Sequence, residues 1–308
     1  MANFEYQQNI ETYLDQKIHQ YNNFRKERID PYLTEIKGKT FLEIGYGAGS
    51  ESDGIFMSLF YRDGAARPVY GIDVVHPFSK KLDQRTIDFW KTAEEKYNLI
   101  QDPVDHYWAE HTPPIIKIHM NSENMYLKNE LVDVIYSSAV LEHVTRPVLA
   151  LKEMYRILRP GGLAAHSWNP FTSLTMGGHD IGIPYYYPWA HLRLKKEDHI
   201  QKLKEVFSND TLRSTASVRE HTLTLDYLSD RTIESMYEGA CHDLNKIRIS
   251  DMCKMAESVG FTILNQYITY VNKDDIHLLT NEIKKELSQY SMEELLCSSH
   301  TLILRKID

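Results

Sequence analysis

Apolar residues in the first half of the chain follow two alternating patterns. Short continuous runs, the profile of strands buried on both faces, are separated by longer stretches where apolar positions return at helical spacing. Residues 6 to about 28 open the series as an amphipathic helix, with Ile10, Tyr13, Leu14, Ile18 and Tyr21 at helical intervals and Pro31 breaking it. Residues 40–44 predict a first strand running into glycines, and a helix over 53–60 follows. Residues 69–75, 115–119, 132–136 and 163–168 predict four more strands. Between them lie a helical stretch containing Trp90 and Tyr97 and a helix over 147–158, which Pro147 suits as a first turn and residues 159–162 end. Alternation of this kind implies a mostly parallel sheet with helices on both faces.

The alternation stops at Asn169. From there to about Ile249 the chain is rich in Tyr, His and charged residues, with helices read over 197–207 and 228–239. A helix over 250–259, closed by Gly260, and strands over 261–264 and 301–304 around a helical segment at 275–287 complete a seven-stranded α/β fold. The chain thus divides into an N-terminal helical extension (1–37), a core (38–168), an inserted lid region (169–249) and the C-terminal part of the core sheet (250–308).

Of the 308 residues, 42% are hydrophobic, enough for a substantial core. With 35 Lys and Arg against 43 Asp and Glu, the formal charge of −8 repels polyphosphate and anionic membrane surfaces, so neither a nucleic acid nor a membrane is expected as a partner. Cys241, Cys253 and Cys297 are far apart, form no paired metal spacing and leave an odd thiol in any disulfide scheme. With no signal-peptide profile at the start and no apolar stretch of spanning length, a cytoplasmic protein is expected.

Gly45, Gly47 and Gly49 stand where a strand turns into a helix, a place where bare backbone and helix-start N–H groups can face a ligand. A dinucleotide-binding turn would carry its third glycine at the position held by Ser50, whereas the pattern acid-x-Gly-x-Gly-x-Gly is complete with Glu43 as the acid. This segment resembles the first motif of the class I, Rossmann-like S-adenosylmethionine-dependent methyltransferases. The resemblance implies that the glycine turn, with Tyr46 inside it, lies under the methionine part of the cofactor and that Glu43 helps fix the loop and the cofactor's amino group. Asp73 ends the second strand beside Val74, where a carboxylate can accept both ribose hydroxyls, as the family's ribose-binding acid does. Asn121 and Ser122 follow the third strand, where the family usually carries an aspartate that reads the adenine amino group; the Asn121 amide oxygen can accept the same bond. Residues 137–144 resemble the family's fourth motif, which implies that carbonyls at Ser137 or Ser138 take the cofactor's ammonium and that His143 enters a helix beneath the site, as a general base or as a packing residue. The resemblance is strong over 38–168 and weak at the strands near 261 and 301.

The acceptor of the methyl group is expected to be written in the insertion, because the donor is common to the class and the acceptor is not. Residues 175–182 and the run Tyr185-Tyr186-Tyr187-Pro188-Trp189 follow the fifth strand, over the sheet edge where open α/β folds bind ligands. Its aromatics can stack on a sugar or ring, or form the underside of the lid; His179 or His191 can take an acceptor proton, or hold the lid by hydrogen bonds. Arg193 can hold an anionic group or make an exposed ion pair, and the adjacent His179 and Asp180 make no metal site. The expectation is a methyltransferase acting on a small polar metabolite at oxygen or nitrogen, a sugar-containing or specialised natural product among the options, working as a monomer or homodimer. The alternatives are a nicotinamide-dependent oxidoreductase and a methyltransferase-like binding or regulatory protein without catalysis.

Overall fold

The computed structural model describes residues 2–47, 54–75, 84–100, 114–174, 177, 186–208, 233–234, 237–238 and 244–307. Within them a seven-stranded sheet runs in the order β3-β2-β1-β4-β5-β7-β6. Its strands are β1 (Phe41–Ile44), β2 (Val69–Asp73), β3 (Ile115–His119), β4 (Val132–Ser138), β5 (Leu158–Trp168), β6 (Phe261–Tyr270) and β7 (Cys297–Lys306). The first five pair in parallel, while β7 runs antiparallel between β5 and β6.

The continuous apolar runs read from the sequence are strands buried on both faces. Along β4, Val134 and Tyr136 join one core cluster while Val132 and Ile135 join the other. The first cluster is closed by α1 (Ala2–Phe24), α2 (Ile55–Arg62) and α3 (Gln84–Tyr97), and the second by α4 (Pro147–Ile157) and α7 (Ile249–Val259). Helix α1 places Ile10, Leu14 and Tyr21 in the core, and its far end is tied to the turn after α2, where Tyr21 donates to Asp63 at 3.0 Å and Arg25 pairs with the same carboxylate. Between β5 and α7 stand α5 (Ala190–Arg193) and α6 (Lys196–Ser208).

Three parts differ from the sequence expectation. Pairing of β5 with β4 begins at Leu158, ahead of the glycines, and resumes at Leu163 after an irregularity, so residues 159–162 interrupt a strand that has already begun. The helical segment expected over 275–287 divides into a 3-10 turn (Lys273–Leu278) and α8 (Asn281–Glu286), and α9 (Met292–Leu296) follows it. Thr280 caps α8 and a Ser291/Glu294 capping box starts α9. Strands β6 and β7 are also longer than their apolar runs, because their other halves are polar (Asn265, Gln266, Ser298, Ser299) and carry no such run.

Leu151, fully buried on α4 between helix and sheet, has no room to collapse around a smaller side chain. Leu151→Ala is expected to destabilise the fold by about 2–5 kcal/mol; a urea melt with a loss below about 1 kcal/mol would show that this face is loosely packed.

Candidate functional site

Strand order reverses between β1 and β4, so the connections leaving their carboxyl ends diverge and open a cleft between them. The cleft has a volume of about 470 Å³ and is lined from the ends of β1, β2, β3 and β4. That is within the usual size of a small-molecule site.

At the end of β1 the chain turns sharply. Gly45 donates to the Ile72 carbonyl at 2.7 Å with φ +73°, and a Cβ there would stand 2.3 Å from a Val140 methyl. Gly47, at φ +81°, donates to Asp73 Oδ2 at 3.1 Å, and Val75 donates to Asp73 Oδ1 at 2.9 Å. The carboxylate at the tip of β2 therefore holds the glycine turn by its backbone. Val74 beside it is 64% exposed and, with Ile72 and Met120, gives the cleft an apolar wall.

After β3, Asn121 Oδ1 accepts from the Glu123 N–H at 2.8 Å, a turn closed by its own side chain. The Glu123 carboxylate in turn accepts from the Arg146 N–H at 2.8 Å and Nε at 2.7 Å, which fastens this loop to the start of α4. A second charged tie repeats the device one turn on. Glu153 accepts from the Met125 N–H at 2.7 Å while Arg156 donates to the Met125 and Leu127 carbonyls. Residues 121–127 are thus held at both ends by α4 side chains.

Strand β4 ends at Ser138 and is turned by Ala139, whose φ of +52° is left-handed and whose N–H donates to the Ser167 carbonyl at 2.9 Å. Val140, His143, Val144 and Thr145 then line the cleft, His143 with its side chain exposed. Glu142 points into the protein from the same turn and is 3% exposed. Its Oε1 accepts from the Asn169 N–H at 3.2 Å and Nδ2 at 3.3 Å, while Oε2 has no hydrogen-bond partner among the described residues. Burial pushes this carboxyl up to about 7 against the lowering effect of the Asn169 bonds. Buried imidazoles stand nearby on the strands: His166 meets Ser137 Oγ through Nδ1 at 2.8 Å, and His300 packs edge-on against Trp168. Burial pushes both down to about 4, so they are neutral.

Of the residues expected from sequence, Gly45, Gly47, Asp73, Val74, Asn121, Ser122 and His143 come together on the cleft wall. Glu43 and Tyr46 are buried behind the turn, Ser137 is buried against His166, and Ser138 is the exposed last residue of β4. His191 is elsewhere: its Nε2 lies 2.7 Å from the Phe171 carbonyl oxygen and its ring packs edge-on against Phe171. Trp189 is fully buried and donates to the Thr172 carbonyl at 3.0 Å, and Arg193 is paired with Glu286 at 2.6 Å. Gly49, His179, Asp180, Tyr185 and Cys241 lie outside the described residues. The cleft also uses Met120, Glu123, Ala139, Val140 and Thr145, which sequence reading passed over. Only Glu123 carried a signal, an acid two residues after Asn121.

Residues 42–166, the span that builds this cleft, match a family model described as a methyltransferase domain. A protein of Mycobacteroides abscessus named an uncharacterized methyltransferase is 28% identical over 155 residues, 50% of this chain and 49% of that protein. One of the same name from Mycolicibacterium vanbaalenii is 36% identical over 94 residues, 28% of this chain and 36% of the other. The chain thus spans half or less of the length of these curated relatives. Among solved structures, an S-adenosylmethionine dependent methyltransferase from Mesorhizobium loti superposes with a TM-score of 0.47 at 14% identity, covering 90% of this chain and 95% of that one.

The folded chain keeps the Glu142 proton to about pH 7, whereas the unfolded chain loses it near 4.5. Stability carried by this carboxyl therefore falls as pH rises between those values and stays lower above them. For His166 and His300 the sign is opposite, since the unfolded chain takes up protons near 6.5 and the folded one only near 4, so their contribution is lost as pH falls. Glu142→Gln removes the first effect alone. Its unfolding free energy relative to wild type is expected to rise by about 1.4 kcal/mol per pH unit from pH 5 to 7; urea melts giving a pH-independent difference would refute the assignment.

Proposed function

We propose that the chain, a class I S-adenosylmethionine-dependent methyltransferase by its residues 42–166, transfers the methyl group to an oxygen or nitrogen of a small polar metabolite. The observation that carries this reading is the charge of the cleft. Its described lining holds the Asp73 and Glu123 carboxylates and no Lys or Arg, and Glu123 is paired with Arg146 at the rim. A carboxylate at the tip of β2 suits a ribose diol, and a wall that carries carboxylates and no Lys or Arg suits a sulfonium cation.

The residues present fit the donor. Asp73 presents its carboxylate at the cleft wall, where ribose hydroxyls can donate to it, Ile72, Val74 and Met120 offer an apolar face to a ring, and Asn121 and Ser122 offer polar groups to its edge. Gly45 and Gly47 bring bare backbone to the cleft wall, where the amino-acid end would lie, and Val140 occupies the space a side chain at Gly45 would take. Bound there, S-adenosylmethionine supplies a methyl group already activated for displacement. The chain's own work is then alignment and exclusion of water. The two charged ties from α4 keep the loop after β3 in place for this, and the Asp73 bond to Gly47 does the same for the turn after β1. His143 is the histidine among the described lining residues, and it is the group we assign to take the proton of a hydroxyl acceptor. His191, bound to the Phe171 carbonyl, is assigned to holding the segment after β5. A small acceptor is favoured by the net charge of −8, which works against a nucleic acid substrate.

Calorimetry with S-adenosylhomocysteine is expected to show micromolar or tighter binding, and Asp73→Ala to weaken it at least about 100-fold through loss of two hydroxyl contacts and of the Gly47 tie. Binding of a nicotinamide dinucleotide in its place would overturn the reading. With a hydroxyl acceptor, His143→Gln is expected to lower kcat about 10²–10⁴-fold. An unchanged kcat would point to an acceptor that is a neutral amine, for which no base is required.

A further inference from the structure

The segment between β5 and α7 leaves the sheet at Asn169 and returns through Asn245, and both of these stems are fastened to one short turn. The turn is Leu141–His143, which follows β4. On the outgoing stem, Asn169 gives its N–H and its side-chain amide to Glu142 Oε1. On the returning stem, the Asn245 N–H donates to the Glu142 carbonyl at 2.9 Å, and the Asn245 side-chain amide donates to the Leu141 and Val144 carbonyls. One residue, Glu142, thus holds the outgoing stem by its side chain and the returning stem by its backbone. Its immediate neighbours Val140, His143 and Val144 line the cofactor cleft, while Glu142 itself does not.

We propose that Glu142 is a positioning residue that couples the segment between β5 and α7 to the cofactor cleft, so that occupying the cleft tightens both stems and loosening either stem weakens cofactor binding. This rests on the methyltransferase reading of the cleft. Three features of the turn make it suited to the task. It is stiff, because Ala139 before it is held in a left-handed conformation by the Ser167 carbonyl and Val140 packs over the position where Gly45 lacks a side chain. It is short, so a displacement on its buried side cannot be absorbed before it reaches Val140 and His143. Its carboxyl is committed on one oxygen only, to a stem, with the other buried and without a partner among the described residues. Polar atoms buried in this way disfavour any rearrangement that leaves more of them unpaired. Reciprocity then follows from linkage: what the stems contribute to cofactor affinity, the cofactor contributes to stem order.

Hydrogen exchange with and without S-adenosylhomocysteine tests this on the whole chain. In the wild type, ligand is expected to slow exchange at residues 169–173 and 245–247 as well as at the cleft loops. Asn245→Ala, at a half-buried position that leaves the core untouched, is expected to lose the ligand-dependent protection of both stems and to weaken S-adenosylhomocysteine about tenfold. Glu142→Met is expected to do the same, and Glu142→Gln, which keeps an acceptor oxygen for Asn169, to restore most of the affinity; a role in filling space alone would not separate Met from Gln. Far-UV dichroism of each variant checks that the fold is retained. Protection confined to the cleft loops, with full affinity in Asn245→Ala and Glu142→Met, would overturn the coupling and leave the methyltransferase reading in place. Failure of the wild type to bind S-adenosylhomocysteine would overturn both.

Discussion

A parallel sheet has all its strand ends at one edge, and the reversal of order between β1 and β4 decides which of those ends a ligand can reach. Everything functional in this chain is a consequence of that placement. Four loops converge on one cleft, and loops at strand ends have no ladder to hold them, so each is tied by other means. The turn after β1 is held by a carboxylate from β2, the loop after β3 by two carboxylates backed by arginines of α4, and the turn after β4 by the Ser167 carbonyl and two asparagines. The ties are directional and charge-assisted where they can be, which suits a site that has to be formed before its ligand arrives.

The core strands were legible because they are buried on both faces and therefore read as unbroken apolar runs. Residues 115–119 were assigned to the residue, and β1, β2 and β4 to within two at their ends. The outer pair was not, for a physical reason: outside residues 261–264 and 301–304, β6 and β7 are interrupted by consecutive polar residues such as Asn265, Gln266, Ser298 and Ser299, and only their apolar runs were seen. The capping box that starts α9 was legible in principle, as Ser291 followed three residues on by Glu294, but a helix of five residues shows no periodicity to draw attention to it.

The site was legible in a similarly uneven way. Glycines and an acid at fixed spacing identify the turn after β1, since few residues can take positive φ there, and Asp73 follows from its place at a strand tip. The apolar lining was not legible: Met120, Val140 and Val144 are ordinary core residues by type, and only the fold exposes them to the cleft. Tyr186, Tyr187, Trp189 and His191 drew attention for the opposite reason. Their chemistry suggests a ligand, yet Trp189 is buried among Leu174, Val271 and Leu279, Tyr187 reaches Glu205, and His191 is occupied by Phe171.

Electrostatics links these observations. Burial acts on these titratable groups beneath the strand ends by removing charge: His166 and His300 stay neutral well below the pH at which an ordinary histidine takes up its proton, and Glu142 is pushed toward its neutral form. Within the cleft, Arg146 cancels Glu123, while Asp73 is met by backbone N–H groups whose partial charges are smaller than its own. The described wall of the cleft carries two carboxylates among apolar, amide, hydroxyl and imidazole groups, and no Lys or Arg. A cation with an apolar ring and a diol satisfies each of those features at once. The ring and the diol are shared with a dinucleotide, whose ribose also meets an acid at the second strand; the cationic centre beside carboxylates is the feature that separates the two ligands.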